Sequence, residues 1–408
     1  MKEPKIRFKG FSGEWKRSTL GDLALFSKGS GYSKSDICKE GTPVILYGRM
    51  YTKYQSVFDE IDTFVNPKDN SVVSKGGEVI IPGSGESPED ISLAAMVKNE
   101  GVILGGDLNI LKFNQKVNDP AFMSMAITYS PTRAELSSYS QGKTVVHLRN
   151  SEIAKGTIRY PNISEQNTIV NYVLSLDAQI SASTSRLASL KQMKAASLQA
   201  MFPQEGETIP KVRFKGFEGE WKTRSLNNYA KKRTEKNVNR IYNVTLTNSA
   251  EFGIIDQRHF FDHDISNSEN IDGYFVVRDK DFVYNPRISA SAPVGPINQN
   301  KLGYPGVMSP LYLVFEVKGI NHDFLEIYFH TALWHKYMFD NGNSGARFDR
   351  LTISDDDFMR MPIPDISLAE QQSIASFFTS LDRQIALHTQ RLEKLKQIKA
   401  ACLDKMFV

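Results

Sequence analysis

Pro4-Lys-Ile-Arg-Phe-Lys-Gly-Phe-Ser-Gly-Glu-Trp-Lys16 returns as Pro210-Lys-Val-Arg-Phe-Lys-Gly-Phe-Glu-Gly-Glu-Trp-Lys222. A second element recurs with it. Leu176-Asp-Ala-Gln-Ile180 becomes Leu381-Asp-Arg-Gln-Ile385, and Leu190-Lys-Gln-Met-Lys-Ala-Ala196 becomes Leu395-Lys-Gln-Ile-Lys-Ala-Ala401. Pro4 and Pro210 are 206 positions apart, and Leu176 and Leu381 are 205 apart, so the halves are nearly equal in length. Between the shared elements the two halves differ strongly. A matched frame with unmatched fillings predicts one scaffold presenting two different recognition surfaces.

The 408 residues suffice for two or three domains with real cores. Charged residues make up 24% and hydrophobic ones 40%, the balance of an ordinary soluble globular protein. With a net charge of only +4, any nucleic-acid surface has to be a local patch. Cys38 and Cys402 form neither a disulfide framework nor a metal spacing, which fits a reduced, cytoplasmic compartment. The N-terminal residues are charged and lack an apolar stretch, so no signal peptide is expected. No apolar run approaches the roughly 18 residues that span a bilayer.

Each half opens on the Phe-Lys-Gly-Phe element, followed by a short helical signal at Leu20, Leu23 and Ala24 or at Leu226, Tyr229 and Ala230. Short β-branched and aromatic runs then alternate with Gly, Pro and Asn. Glu78-Val-Ile-Ile-Pro82 and Asp281-Phe-Val-Tyr-Asn-Pro286 read as equivalent strands, as do Leu108–Phe113 and Leu311–Phe315. Ala121–Thr128 and Asp323–Met338 read as helices. Each module closes on a strand ending in proline, at Pro161 and Pro364. The modules are expected to be α+β.

After each module the period changes. Steps of 4 and 3 pick out Ile169, Val173, Leu176, Ile180, Ser183, Leu187, Leu190, Lys194, Ser197 and Met201. Adding 205 gives Ile374, Phe378, Leu381, Ile385, His388, Leu392, Leu395, Lys399, Cys402 and Met406. Two helices with one heptad register should supercoil with each other or with partners. Leu176, Ile180, Leu187 and Leu190, with Leu381, Ile385, Leu392 and Leu395, are the candidate packing residues. The polar breaks at equivalent heights read as register control. Ser164-Glu-Gln and the capping box Ser367-Leu-Ala-Glu370 mark the starts, and Pro203 stops the first helix. The domain expectation is therefore modules at 1–162 and 204–365, with helices at 163–203 and 366–408. A helix of about 38 residues is about 57 Å long. Packed antiparallel, two of them would hold the modules at opposite ends, against about 34 Å for one turn of B-DNA. That scaffold is a ruler for two unlike half-sites around unread base pairs.

The paired Phe-Lys-Gly-Phe…Glu-Trp entries, the paired Leu-Asp-x-Gln-Ile…Leu-Lys-Gln-Met/Ile-Lys-Ala-Ala helices and the two dissimilar modules resemble the specificity subunit of a type I restriction–modification system. The resemblance covers the whole chain, and its specific part is the helices. It implies two target-recognition domains that each read half of a bipartite site in double-stranded DNA. It also implies an antiparallel coiled coil, here at 165–202 and 370–407, that separates the domains and docks two modification subunits. Restriction subunits that translocate and cut DNA would complete the assembly. S-adenosylmethionine, ATP and Mg would belong to those partners, with no cofactor in this chain. No base-reading motif comes with the resemblance.

Residue chemistry agrees. An adenine methyltransferase needs an Asn/Asp-Pro-Pro-aromatic loop, and Asn285-Pro286-Arg287 lacks the second proline and the aromatic. Gly83-Ser-Gly85 reads as a loop, without a GxGxxG continuation, and no Gly-x4-Gly-Lys-Ser/Thr loop occurs. Catalysis by this chain alone is not expected. His259-Phe-Phe-Asp262-His263 suggests a surface loop rather than a metal site, since no third ligand is in sight. Asp355-Asp-Asp357 after Ser354 fits the start of a helical turn, where its positive end favours acids.

Candidate DNA contacts are spread along the chain. Lys231, Lys232, Arg233 and Lys236 with Arg240 form the densest basic run, either a solvated helix face or a phosphate contact. Gln141-Gly-Lys143-Thr144 and Ser344-Gly-Ala-Arg-Phe-Asp-Arg350 are glycine-containing loops late in each module. Arg347 or Arg350 suits bidentate guanine contact, and Gln141 suits adenine. Arg49 and Lys53, among Tyr47, Tyr51 and Tyr54, form a phosphate contact or an ordinary exposed strand face. The rival readings are a coiled-coil adaptor, a stand-alone DNA binder and a free-standing nuclease or methyltransferase.

Overall fold

The computed structural model describes residues 3–142, 145–259, 271–343 and 349–408. The chain divides into two units, Met1–Thr184 with Gln390–Val408, and Ser185–Thr389. Both are mixed α+β.

In the first unit the central sheet runs Ala24–Lys28, Leu108–Phe113, Glu78–Pro82, Ala95–Val97, Val57–Phe58. All its pairs are antiparallel except the last. Glu78–Pro82 is buried throughout because it is covered on both faces. A second five-stranded sheet gathers Ile37–Cys38, Phe64–Val65, Thr42–Ile45, Glu100–Leu104 and Val73–Lys75. In the second unit Ala230–Lys232, Leu313–Val317, Phe282–Tyr284 and Ile297–Gln299 form an antiparallel sheet. Its order matches the first four strands of the central sheet in the first unit. The expected strand at 311–315 begins at Leu313, and that at 281–286 is Phe282–Tyr284.

Each module's entry ribbon pairs its first and last strands, Lys16–Thr19 with Thr157–Tyr160 and Lys222–Ser225 with Pro362–Asp365. Helix Pro120–Tyr129 is capped by Asp119, whose carboxylate accepts from Phe122 N. Its counterpart His322–Phe329 is capped by Asn321. The helix expected over 323–338 is thus broken. Trp334 is buried and donates Nε1–H to the Phe329 carbonyl at 3.0 Å, one of the carbonyls freed at the helix end. A new helix then starts, His335–Asn341. The helix Pro131–Tyr139 had its own signal in Ser130-Pro131, a cap followed by proline, which the apolar pattern hid. Asp355–Met359 is the expected turn, with Ser354 accepting from Asp357 N at 3.0 Å.

The long helices are Ile163–Met201 and Leu368–Lys405, and each contributes to both units. Within the first unit Ile169, Val170 and Val173 share a core with Cys402, Leu403 and Met406, and Asp177 pairs with Lys399. Rising numbers on one helix meet falling numbers on the other, so the pairing is antiparallel. The second unit repeats this. Met201 shares a core with Ile374 and Phe378, and Lys194 Nζ reaches Asp382 at 2.5 Å. Leu176, Leu190, Leu381, Leu392 and Leu395 are buried, and Ile180, Leu187 and Ile385 half-buried, as the heptad stripe requires. The two lysines that interrupt the stripe therefore each find the aspartate of the recurring Leu-Asp-x-Gln-Ile element.

The Phe-Lys-Gly-Phe elements clasp the helix starts. Arg7 holds Glu165 through Nε at 2.7 Å and Nη2 at 2.8 Å, and Nη1 donates to Gly13 O at 2.7 Å. Arg213 holds Glu370 at 2.7 and 2.9 Å and donates to Gly219 O at 2.6 Å. Both carboxylates are buried. Glu370 is thus not the reciprocal arm of a capping box. Ser367 still accepts from Glu370 N at 3.2 Å, and the first helix is capped by Asn162 rather than Ser164. The neighbouring Gln166 and Gln371, also buried, accept from Asp119 N and Asn321 N at 2.8 and 2.7 Å. One Glu-Gln pair thereby ties both the entry element and the module's helix to the long helix.

Candidate nucleic-acid interface

Among the described residues, most cations picked from the sequence are already paired with carboxylates. Arg49 opens a helical turn, Arg49–Thr52, and Lys53 follows its end; neither is on a strand, and both bind the Asp62 carboxylate. Lys53 first and Arg49 second hold that carboxyl well below its usual range. Arg49 also lies over the Phe58 ring, 5.4 Å from its centre. The basic run at 231–236 is not a helix face. Lys231 and Lys232 belong to the strand Ala230–Lys232, because β pairing with Leu313–Val317 outweighs local propensity. Lys231 faces Glu316 across that ladder. Lys232 pairs with Asp355. Arg233 binds Asp281 at 2.6 Å and Glu316 at 3.4 Å. Burial pushes the Asp281 carboxyl up, opposed by Arg233. Arg240 pairs with Asp272, and Lys236 is exposed beside a bridge to Phe275. A cation held by a carboxylate has to give up that partner before it can read a base or a phosphate.

The two glycine-containing loops sit on a common platform. In the first unit Gly83-Ser-Gly85 is not a free loop, because Ser84–Gly85 pairs with Val146–His147. Leu148 N donates to Gly83 O at 3.0 Å, and Gln141 and His147 exchange backbone bonds at 3.0 and 2.8 Å. Gly142 at the tip has φ +132°, and a side chain there would meet Val145 O at 2.0 Å. Buried Asn109 donates to Leu148 O at 2.9 Å, and Tyr51 OH donates to Ser84 O at 2.6 Å. Gln141 is exposed at this platform, and Ser84 Oγ and His147 Nδ1 lie 2.9 Å apart.

In the second unit the segment after Phe282–Tyr284 plays the same part. Leu351 N donates to Pro286 O at 2.9 Å and Ile288 N to Asp349 O at 3.0 Å, while Asn343 bridges Thr352. Tyr284 OH, from the core, donates to Val294 O at 3.0 Å. Arg287 faces Arg350 across this bridge. Arg287, Ser84 and His147 were missed from the sequence. Arg287 sits in the Asn285-Pro286-Arg287 string, whose local pattern points only to an incomplete methyltransferase loop. Lys143, Thr144, Arg347 and most of the His259–His263 cluster lie outside the described residues. Among the described residues, no group of three metal-ligating side chains occurs, and no helix is long and apolar enough to cross a membrane.

A further surface lies on the long helices. In the second unit a groove of about 410 Å³ is lined by Arg186, Leu190, Met193, Phe214, Phe377 and Leu381, among others. Phe214 meets Phe377 edge-on at 6.2 Å, as Phe8 meets Tyr172 at 5.4 Å in the first unit.

Residues 12–192 and 218–397 each match the model of a family described as the type I restriction modification DNA specificity domain. No curated protein matches the chain in sequence. Among solved structures, the chain is similar to the S subunit of a type I restriction–modification system from M. genitalium. The identity is 13%, the match covers 100% of this chain and 99% of that one, and the TM-score is 0.58. An HsdS subunit from Thermoanaerobacter tengcongensis aligns at 16% identity over 96% of each chain, with a TM-score of 0.48.

Proposed function

Because the chain belongs to the family of type I restriction modification DNA specificity domains, we propose that it is the non-catalytic recognition subunit of a type I restriction–modification complex, acting in the cytoplasm. The modules at 1–162 and 204–365 each read one half of a bipartite, asymmetric DNA site. The helices at 163–203 and 366–408 set the spacing of the halves. The observation that carries this reading is the duplicated frame with unlike working surfaces. The clasp, the sheet order and the loop platform recur in both units, while the platform side chains differ: Ser84 and His147 in one, Arg287 and Arg350 in the other.

Two modification subunits dock on the long helices, and the groove between Leu190 and Phe377 is the surface we assign to one of them. Adding 205 to its lining residues on the first long helix, and subtracting 205 or 206 from the others, gives their counterparts in the first unit. Leu190, Met193, Phe214 and Phe377 become Leu395, Ile398, Phe8 and Tyr172. Equivalent residues in both units suit two copies of one partner. Those partners carry out S-adenosylmethionine-dependent adenine methylation, and restriction subunits use ATP and Mg. The test is co-expression with the candidate methyltransferase subunit, followed by genome-wide mapping of methylated adenines. One motif of two short halves around a fixed gap supports the reading. A stable complex that leaves no motif would replace it with an adaptor role.

A further inference from the structure

We propose that the cross-strand pair Arg287–Arg350 is the base-reading element of the second unit and that it reads guanine. This assignment rests on the recognition-subunit reading above. The two backbone bonds, Ile288 N to Asp349 O and Leu351 N to Pro286 O, flank the pair on either side. That pattern makes 287 and 350 a non-hydrogen-bonded pair, the closer kind, with side chains on one face. Like charges directly opposite each other destabilise a ladder. Here the repulsion is barely relieved. Among the described residues, the ion pair to either guanidinium is Arg350 Nε to its own neighbour Asp349, at 3.8 Å. Arg49, Lys53, Lys232, Arg233 and Arg240, by contrast, are all closely paired.

Two forked donors side by side on one antiparallel bridge suit the major groove. The guanine edge there presents O6 and N7 to an arginine fork. Arg287 is exposed, and Arg350 keeps 23% of its side chain exposed, so one reaches out from a partly packed support. The ladder position is also the one that differs between units. Leu148 N to Gly83 O in the first unit corresponds to Leu351 N to Pro286 O in the second. Ser84 and His147 therefore stand where Arg287 and Arg350 stand. One address in a shared platform carries a hydroxyl and an imidazole in one unit and two guanidiniums in the other, which is how two modules of one frame would read unlike sequences.

The experiment uses the full chain assembled with its modification subunits and compares methylated motifs for wild type, R287K, R350K and R287A. Lysine keeps the charge and loses the fork. The expected result is that R287K and R350K relax a guanine-containing position of one half-site, its preference falling ~10- to 100-fold. The other half-site stays intact and serves as the control for folding. The assignment fails if the lysine variants keep the wild-type motif while R287A weakens methylation evenly and shallows the salt dependence by about one phosphate's worth. It also fails if no variant changes the motif. A wild-type complex that methylates no bipartite motif would instead sink the recognition-subunit reading, and this assignment with it.

Discussion

Replacing Arg213 by alanine should destabilise the second unit by about 3 kcal/mol. The pair with Glu370 is bidentate, at 2.7 and 2.9 Å, and its carboxylate is buried. Deleting one partner of a buried pair costs about 3–5 kcal/mol, because the other charge is left desolvated. The low end applies, since 15% of the Arg213 side chain stays exposed. Three hydrogen bonds go with it, including the one to Gly219 O that closes the entry loop. For a unit of this size the loss corresponds to a fall in Tm of about 6–12 °C. Hydrogen exchange gives the sharper assay, because it reports each unit separately. Amides of the second unit that open globally should lose about 150-fold protection, while those of the first keep theirs. R7A should do the same to the first unit, where Arg7 and Glu165 repeat the geometry. The double variant R213M/E370M should recover most of the loss, since a buried ion pair is readily replaced by apolar groups of similar volume. A cost below about 1 kcal/mol for R213A, or a double variant no better than the single one, would refute the clasp as a structural element.

The cross-helix pairs should matter less. Lys194–Asp382 and Lys399–Asp177 are partly exposed, so K194A and K399A should each cost ~0.2–1 kcal/mol in thermal unfolding, and a cost above about 2 kcal/mol would contradict that ranking. His335 packs against Trp334, and burial lowers its pKa from the ordinary 6.5. The unfolded chain therefore binds this proton first. The stability His335 confers is full above pH 6.5 and is lost as pH falls through the window below it, so H335Q should flatten the Tm profile there; an unchanged slope would show that His335 does not contribute. A matched heptad added to both long helices should lengthen the unread gap of the methylated motif by about 3 base pairs, since seven residues rise about 10 Å. Altered half-sites with an unaltered gap would refute the ruler.

The periodic parts of this fold were legible in the sequence. The heptad stripe named the buried face of both helices, and the strand Leu108–Phe113 has the bounds its β-branched and aliphatic run predicts. So did the acidic turn after Ser354, because caps and first-turn charges act within four residues. What escaped was non-local. Arg7 and Glu165 are 158 residues apart, and no local pattern announces their bond. The shared partner of Arg49 and Lys53, Asp62, lies nine to thirteen residues away, beyond the reach of any local pattern. The run at 231–236 is rich in helix formers, yet Lys231 and Lys232 at its start pair with the strand Leu313–Val317. Arg287 is one cation among 50 Lys and Arg residues, and it is set apart only by the residue opposite it.

The interleaving of the units fixes an order of manufacture. The second unit, Ser185–Thr389, is complete in sequence before any of 390–408 leaves the ribosome. The first unit waits, because Cys402, Met406 and Phe407 fill the core around Trp15 and Phe122, with Phe407 5.6 Å from the Phe122 ring. Domains fold as units during synthesis, so the half of the protein that is translated first is the half that finishes last. A premature stop just past residue 389 would spare its nearest module and leave the N-terminal one with an open core, a ready target for proteases that remove unfinished chains.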